Sequence, residues 1–370
     1  MSKKIKIIGA GPSGLVSAIN LAKAGYKVEV YEKNKDVGLK LNGDFQGLEN
    51  WTSKEDILDS LKKMNVKINF PYTPIYSGEI YDCDLNKTKV KTKKPFCYLV
   101  RRGNFEDTLD IGLKKQAEEL GVEFIYGKEI KKLKGRCIVA IGSRKADGIG
   151  IGITFDTKNK NKCIVLLDDK AAPKAYSYLL INNGKGTLVS CMFKTYKKGN
   201  RYLKKTLEKF EKIIHLDMKN VKHFGGYINF FLQDSNCKNG KLYVGECAGF
   251  QDYLWGFGMR YAMTSGYLAA KSIIENKDYD KLWKKEFKGM LETSLSNRFL
   301  FEKLGNSGYK KMIGMMGKDP FNFLYKNYNP SFIKKLVFPL AKIKHKKELS
   351  GHGCNSEDCN CVFCRCKTKK

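Results

Sequence analysis

Three glycines and one carboxylate near the start of the chain have the spacing of a phosphate-binding turn. Gly9, Gly11 and Gly14 follow the β-branched residues Ile5, Ile7 and Ile8 in a G-x-G-x-x-G pattern, and Glu32 ends the next predicted strand. One glycine permits a tight turn, one lets the backbone approach a pyrophosphate, and one lets the helix pack on the strand. The pattern predicts a dinucleotide site, the alternative being a tight turn that binds no ligand.

The elements that position these residues follow from apolar spacing. A helical stripe starts after Pro12 and Ser13 and ends at Gly25, and a β-branched strand occupies residues 28–31. The helix N-terminus presents free N–H groups to phosphates, and the carboxylate after the second strand can accept from a ribose hydroxyl. We therefore add Pro12, Ser13 and Lys33 to the predicted cofactor contacts.

Two further motifs follow in order. Residues 102–106 read Arg-Gly-Asn-Phe-Glu, and a second glycine-rich turn at residues 245–259 follows a predicted buried strand and leads into a helix predicted at residues 261–274. With the first turn, they resemble the motifs of the geranylgeranyl reductase family of FAD-dependent oxidoreductases, within the p-hydroxybenzoate-hydroxylase-like group. The resemblance covers roughly residues 4–300.

The resemblance implies that the dinucleotide is FAD. Arg102 would contact the FAD phosphate or ribityl region, and Arg101 is the neighbouring alternative. Glu246, which stands where the family has Asp, can hold a ribityl hydroxyl or reach the phosphates through water. A helix N-terminus behind it would stabilise negative charge on the reduced flavin ring. The expected contacts in this second turn are Gly245, Glu246, Gly256, Phe257, Gly258 and Met259. The alternative is a turn that only packs.

Residues 173–180, Pro-Lys-Ala-Tyr-Ser-Tyr-Leu-Leu, resemble the P-x-x-Y-x-W-x-F-P segment of the same family in the proline and the first tyrosine. Alternate residues of a strand share a face, so Tyr176, Tyr178 and Leu180 are predicted to line one apolar wall against the substrate. Ordinary sheet core is the alternative.

The resemblance implies an enzyme that saturates C=C bonds of an isoprenoid lipid by hydride transfer from reduced flavin. No catalytic residue is assigned, because the hydride comes from the cofactor and several groups could supply the proton. Two rival functions stay open: an FAD-dependent monooxygenase of an apolar substrate, and a flavin- and metal-binding redox carrier with no organic substrate.

The charge of the chain bears on its partners. The 69 Lys and Arg against 38 Asp and Glu give a net charge of +31, which favours acidic partners. Only one dinucleotide fingerprint is present, so an acidic electron donor such as ferredoxin, or a small reductant, is favoured over NAD(P)H. Lys outnumbers Arg, the residue suited to bidentate base contacts, so no nucleic acid is expected.

The predicted fold class is α/β, with a Rossmann-like FAD-binding domain interleaved with an antiparallel-sheet substrate domain, followed by C-terminal helices and a Cys-rich tail. The FAD-binding domain is assigned to residues 1–67, 98–152 and 225–275. The substrate domain takes residues 68–97 and 153–224, the helical region residues 276–345 and the basic tail residues 346–370.

The cysteines and the apolar runs bear on location. The 12 cysteines are not spread like a disulfide framework, no signal peptide precedes the first strand, and no apolar run approaches the ~20 residues that span a bilayer. We expect a cytoplasmic protein. A basic and apolar helix near residues 334–344 could rest on anionic lipid as a peripheral membrane contact, or dock as a solvated helix on the body.

The tail concentrates thiols. Five of them lie close enough in sequence to supply tetrahedral ligands to zinc or another soft metal: Cys354, Cys359, Cys361, Cys364 and Cys366. Their C-x-C-x2-C-x-C spacing departs from paired C-x2-C knuckles. A disordered thiol-rich tail and an iron–sulfur site are the alternatives.

Overall fold

Three β-sheets organise the chain in the computed structural model, which describes residues 4–130, 135–143, 146–193, 198–316 and 319–346. In chain order the strands are β1 (Lys4–Ile8), β2 (Lys27–Tyr31), β3 (Asn42–Glu49), β4 (Tyr72–Ile75), β5 (Ser77–Tyr81), β6 (Lys87–Lys91), β7 (Cys97–Gly103), β8 (Glu123–Ile125), β9 (Cys137–Val139), β10 (Gly148–Asp156), β11 (Lys162–Leu166), β12 (Ser177–Asn182), β13 (Lys185–Met192), β14 (Lys219–Ile228), β15 (Cys237–Lys238) and β16 (Lys241–Tyr243).

Helices cover and connect these sheets. In chain order they are α1 (Pro12–Lys23), α2 (Ile57–Lys63), α3 (Leu109–Glu119), α4 (Gly199–Ile213), α5 (Met259–Ile274), α6 (Tyr279–Trp283), α7 (Gly289–Lys303), α8 (Asn306–Met315), α9 (Pro320–Tyr328) and α10 (Phe332–Lys344). A 3-10 turn, Gly245–Ala248, follows β16, and a π-helical segment, Lys284–Lys288, joins α6 to α7. Within the described ranges, every helix is too short or too polar to cross a membrane.

The first sheet is the predicted nucleotide-binding sheet. Its order is β15-β16-β9-β1-β2-β8, and β1 pairs in parallel with β2 on one side and β9 on the other. The three isoleucines of β1 are buried: Ile5 and Ile7 lie in the core cluster that includes α1, and Ile8 packs with Cys137 and Val139 of β9. A central parallel strand followed at once by a helix places the turn after β1 at the carboxyl edge of the sheet, where ligands of such sheets bind.

The second sheet is the predicted β-layer. Its order is β14-β10-β13-β12-β11-β5-β6, all antiparallel except the β11–β5 pair. One face packs on α4 through residues such as Ile164, Leu179 and Phe210. A third, small sheet, β3-β7-β4, bridges the two larger ones.

The predicted domain boundaries at 152/153 and 224/225 each fall inside a strand, β10 and β14 respectively. These two strands pair with each other, and β10 also pairs with β13. The segment 72–75 also belongs with β7 in the small sheet and not with the substrate layer. Apolar alternation predicted strands here, but it does not say to which sheet a strand belongs, since pairing joins residues far apart in sequence.

Helix α3 begins at Leu109, directly after its N-cap Thr108. The side chain of Thr108 accepts a hydrogen bond from the Ile111 N–H at 3.3 Å and fixes the helix start there. Within the predicted helical region, Asp319 caps helix α9, and Pro320 occupies its first turn.

The buried face of α7 changes near its C-terminal end. Phe287 in the preceding π-helical segment, Leu291 and Leu295 are buried at intervals of four residues, but Leu300 is exposed and Arg298 is fully buried. An α-helix turns about 100° per residue, so residues spaced four apart drift slowly off one face and a step of three residues returns to it. Arg298 follows Leu295 by three residues and therefore lies on the buried face. Its guanidinium stacks on Phe193 and donates to main-chain carbonyl oxygens of Lys174 and Leu254.

Helices α1 and α5 cross in unusually close contact. A Cβ on Gly266 of α5 would lie 2.2 Å from the carbonyl oxygen of Ser13 in α1. The hydroxyl of Ser17 lies 2.9 Å from the Gly266 carbonyl and 2.8 Å from the Ser13 carbonyl, and donates to them. The crossing brings the N-terminal ends of the two helices, and with them both glycine-rich turns, to one place.

We expect the substitution Gly266→Ala to lower the free energy of unfolding by about 1–3 kcal/mol, because its methyl group must push the two helices apart. Gly314→Ala is the matched control. Gly314 is also helical, but an added Cβ there meets nothing within 4 Å. We expect that control to raise stability by about 0.5–1 kcal/mol. Urea denaturation of both variants measures the difference; equal effects would contradict the close crossing.

Candidate functional site

A cavity of about 1630 Å³ lies between the carboxyl edge of the first sheet and one face of the second. Ordinary ligand pockets occupy about 300–1,000 Å³, so this one has room for a dinucleotide and a second molecule. Most predicted cofactor residues line it: Gly9, Gly11, Pro12, Ser13, Glu32, Lys33, Arg102, Glu246, Gly256, Phe257, Gly258 and Met259. Gly14 and Gly245 lie behind this wall, where an added Cβ would collide with Gly9 and Ser13 respectively.

The three glycines of the first turn divide the predicted tasks. Gly9 has φ of +101°, and a Cβ there would lie 2.3 Å from the carbonyl oxygen of Ala140 in the segment after β9. A Cβ on Gly14 would lie 2.1 Å from the Gly9 carbonyl, so Gly14 allows the helix to pack on the strand. Gly11 has open space where its side chain would be and caps α1 without a side-chain hydrogen bond. The cavity side of Gly11 is therefore where a pyrophosphate can approach the free N–H groups.

Glu32 is held in place by the backbone around it. One carboxylate oxygen accepts from the Ala10 N–H at 3.0 Å, and the other accepts from the main-chain and side-chain N–H groups of Asn34 at 3.0 and 2.7 Å. These bonds tie the end of β2 to the glycine turn after β1. The carboxylate is fixed at the cavity wall and retains lone pairs for a ribose hydroxyl.

Glu246 carries an unpaired oxygen. The residue follows β16, and its Oε1 atom is buried with no hydrogen-bond partner among the described residues. Burial raises the pKa of this carboxyl above its ordinary value. A buried carboxyl oxygen without a partner is costly, and a polyhydroxyl chain in the cavity would satisfy it. The unpaired Glu246 oxygen is therefore suited to the ribityl hydroxyls of a flavin nucleotide.

The N-terminus of α5 lies in the same part of the cavity wall as Gly11, Glu32 and Glu246, and together these groups form what we call the dinucleotide cradle. The helix begins at Met259 after Gly258, with no side-chain cap, and Gly256, Phe257 and Gly258 line the cavity. Its first-turn N–H groups and positive dipole end are open to a ligand that carries negative charge.

Arg102 lies in the cavity wall, and Arg101 does not. Asp110 of α3 binds the Arg102 guanidinium through two hydrogen bonds of 2.8 and 2.9 Å, and Gln46 accepts a third at 3.1 Å. Arg101 pairs with Asp107 and stacks on Phe105 instead. The buried carboxylate of Asp110 orients the Arg102 fork, which motif spacing alone did not reveal.

Tyr176, Tyr178 and Leu180 line the same cavity, on the face of the second sheet opposite to α4. The rings of Tyr176 and Tyr178 stack at 5.9 Å, and the Tyr176 hydroxyl donates to the Trp255 carbonyl at 2.8 Å. The predicted common face is therefore present. Its contact with a substrate remains a prediction.

Several residues of this wall were missed from sequence. Cys163 and Cys191 project into the cavity beside the tyrosines. Burial raises the pKa of Cys163 to about 11 and of Cys191 to about 12, so both thiols stay neutral at physiological pH. Period-two alternation along β11 and β13 could have identified them, since they share a face with Val165 and Val189.

A largely apolar part of the cavity wall comes from the C-terminal helices. Its lining comes from α7, α8, α9 and adjoining residues: Leu300, Phe301, Leu304, Met312, Met315, Met316, Phe323 and Leu324. These residues were predicted only as packing helices, because no local signal in a sequence shows which cavity a helix will close.

The predicted thiol cluster of the tail, Cys354 to Cys366, lies outside the described residues. Within the residues described, no group of three or more His, Cys, Asp and Glu side chains is arranged to hold a metal.

Comparison with known proteins places the first turn in a known domain type. Residues 7–44 match the model of the NAD(P)-binding Rossmann-like domain. A 37-residue stretch is 65% identical to a flavin-containing monooxygenase of Arabidopsis thaliana, but it covers 10% of this chain and 8% of that protein. The chain thus matches only a small part of that curated relative's length.

Solved structures extend the similarity to nearly the whole chain. A geranylgeranyl bacteriochlorophyll reductase-like protein from Thermoplasma acidophilum superposes with a TM-score of 0.67 over 94% of this chain and 100% of that one, at 15% identity. The p-nitrophenol 4-monooxygenase of Pseudomonas putida gives a TM-score of 0.63 over 91% and 98%, at 12% identity. The chain has the fold of FAD-dependent oxidoreductases, and the predicted resemblance is confirmed as a resemblance of fold.

We expect Gly11→Val to weaken FAD binding about tenfold or more, because its side chain would occupy the space left for the pyrophosphate. Gly305→Val is the matched control: Gly305 is also an extended cap residue with nothing within 4 Å of an added Cβ, and it lies outside the cavity. Any cost of losing a glycine cap is common to both variants. Flavin fluorescence titration of the deflavinated proteins checks this; equal affinities in the two variants would contradict the assignment.

Proposed function

We propose that this protein is an FAD-dependent oxidoreductase that reduces C=C bonds of an isoprenoid lipid. The observation that carries the proposal is the single cavity that joins a dinucleotide cradle to an apolar arm. The cradle is built by Gly11, Glu32 and Glu246. The apolar arm is the part of the same lining that includes Tyr178, Phe301 and Met312. A long apolar chain suits such an arm, and the similarity of fold to a geranylgeranyl bacteriochlorophyll reductase-like protein supports this substrate class.

The residues of the cradle would hold FAD in a defined direction. Gly11 and the N-terminus of α1 would take the pyrophosphate, and Glu32 a ribose hydroxyl. Arg102 and Glu246 would hold the phosphate and ribityl region, and the N-terminus of α5 would face the ring. When bound and reduced, FAD supplies the hydride for the reaction. The two helix ends bring positive potential to the two parts of the cofactor that carry negative charge.

The second sheet would present the substrate and a proton. Saturating a C=C bond consumes one hydride and one proton, which add to the two carbons. Burial raises the pKa values of Tyr176, Tyr178 and Cys191 far enough that each group stays protonated at neutral pH. These groups add no charge to the wall, exclude water from it and hold protons beside the site.

The electron donor is proposed on charge. A net charge of +31 would steer an acidic protein such as a ferredoxin to the surface, and the sequence has one dinucleotide fingerprint, which the cradle uses. NAD(P)H is the alternative, since flavoproteins can bind it without a second fingerprint.

A monooxygenase is the second candidate. A 37-residue stretch of the chain matches a flavin-containing monooxygenase, and p-nitrophenol 4-monooxygenase shares the fold. That reaction would consume oxygen and NAD(P)H and give a product heavier by one oxygen atom. A redox carrier without organic substrate has no use for the apolar arm.

We expect the anaerobically reduced enzyme to regain its oxidised flavin absorbance when a geranylgeranyl lipid is added, with a gain of two hydrogens per reduced bond in the lipid. Mass spectrometry of the extracted lipid measures the product, and heat-inactivated enzyme is the control. Absence of both reoxidation and mass gain would rule out the reductase. A product that forms only with oxygen and carries an added oxygen atom would favour the monooxygenase.

We expect Tyr178→Ala to lower kcat/KM for the lipid about tenfold, ~1.4 kcal/mol of transition-state binding, without loss of FAD, because it removes a ring from the apolar wall. Tyr76→Ala is the control, since Tyr76 is 45% exposed and does not line the cavity. Stopped-flow reoxidation at several lipid concentrations gives both constants. An unchanged kcat/KM in Tyr178→Ala would contradict a substrate contact.

A further inference from the structure

Helix α10 carries an apolar face that points to solvent. Five of its large apolar side chains are between 58% and 76% exposed: Phe332 76%, Ile333 67%, Leu336 62%, Leu340 58% and Ile343 73%. On a helix that turns about 100° per residue they fall within an arc of roughly 100°. The opposite face, with Phe338 and Ala341, packs on the protein core. Exposed apolar side chains scattered singly need no explanation, but a continuous stripe of five indicates a binding surface.

Lysines border this stripe on both sides. Lys335, Lys342 and Lys346 lie along one edge and Lys344 along the other, and all four are exposed. The sequence from Ser331 to Lys346 contains no Asp or Glu. An apolar centre with a row of lysines on one side and a lysine on the other is an arrangement suited to a helix that lies in the interface of an anionic bilayer, with lysine stems along the surface and ammonium groups at the phosphates.

We propose that the exposed stripe of α10 docks this protein on an anionic lipid surface. The apolar side chains would enter the boundary between headgroups and acyl chains, and the lysines would neutralise lipid phosphates. No helix has to cross the bilayer, because one face of α10 stays bound to α7. The main chain of Lys334 is held there by the Ser296 hydroxyl at 3.0 Å.

The cavity described above is lined in part by α10 itself. Lys334, on the side of α10 away from the stripe, lines it together with Leu300 and Met315, which is 65% exposed. A docked protein would therefore present the apolar arm of its cavity near the lipid phase. This consequence depends on the proposed lipid substrate, whereas docking by α10 depends only on the exposed stripe and its lysines.

Two other occupants fit the stripe less well. The tail, residues 347–370, is polar, and its only large apolar side chains apart from cysteine are Leu349, Val362 and Phe363. A second copy of the chain would place the same lysines against each other across a two-fold axis, and like charges repel there. An anionic lipid surface satisfies both the apolar and the charged part of the stripe.

Sedimentation of the full chain with vesicles tests the apolar part. We expect wild type to bind vesicles that contain phosphatidylglycerol and phosphatidylcholine far better than vesicles of phosphatidylcholine alone. The double variant Leu336→Ser with Leu340→Ser should bind at least about tenfold more weakly than wild type. Its control is Leu120→Ser with Val221→Ser, which removes two exposed apolar side chains of 39% and 43% exposure elsewhere, and it should bind like wild type.

A second pair of variants tests the charge. Replacing Lys335, Lys342 and Lys344 together by Gln should weaken binding to the anionic vesicles about a hundredfold. The control replaces the exposed Lys204, Lys212 and Lys238 by Gln, which lowers the net charge equally but leaves α10 intact. Wild-type binding in this control separates local docking from general attraction by a net charge of +31.

Three results would overturn the proposal. Wild type that stays in the supernatant with anionic vesicles is one, and equal binding by the α10 variants and their controls is the second. The third is a wild-type dimer, seen by light scattering without lipid, that the Leu336→Ser and Leu340→Ser changes dissociate; the stripe would then join two copies of the chain. Vesicle binding involves no catalysis, so these outcomes are independent of the anaerobic lipid assay.

Discussion

The close crossing of α1 and α5 is the constraint on which the rest of the structure depends. Ser13 and Gly266 approach so closely that only a glycine fits in α5, and the Ser17 hydroxyl joins the two helices across the contact. Each helix begins at one of the two glycine-rich turns. Because the helices touch here, two motifs that are far apart in sequence open onto one cavity with their N–H groups free. A looser crossing would separate the turn that fits a pyrophosphate from the turn that fits a flavin ring.

The cavity lies between the edge of one sheet and the face of another. The parallel sheet contributes the ends of its strands, where turns such as that after β1 can wrap a charged ligand. The antiparallel sheet contributes a face, and its period of two sends one set of side chains to α4 and the other to the cavity. Strand β12 shows both sets, since Tyr178 and Leu180 line the cavity while Leu179 lies in the opposite core. The polar cradle and the apolar wall are therefore two sides of one cavity, each supplied by a different sheet.

Buried charge in this structure is paired where the fold needs rigidity. Asp110 holds Arg102 through two hydrogen bonds, and Arg298 is bound by main-chain carbonyl groups and by Glu302. Glu246 differs, because one of its oxygens is buried in the cavity wall without a protein partner in the described part of the chain. Leaving such an atom unsatisfied costs free energy, which a bound ligand can return as affinity. Paired groups such as Arg102 therefore keep the cavity wall rigid, whereas the unsatisfied Oε1 atom of Glu246 is available to a ligand.

The sequence by itself determined the local parts of this protein. Gly9, Gly11, Gly14 and Glu32 predicted the nucleotide-binding turn, because their tasks depend on neighbours within one strand–turn–helix unit. Period two predicted the common face of Tyr176, Tyr178 and Leu180, and all three lie there. The tertiary structure alone decided which sheet β10 joins, that Asp110 binds Arg102, and that α7 to α9 line part of the cavity. It also decided which face of α10 is covered, since both faces are apolar and only packing on α7 leaves one of them in solvent. Those features depend on contacts between distant segments, for which a local pattern carries no information.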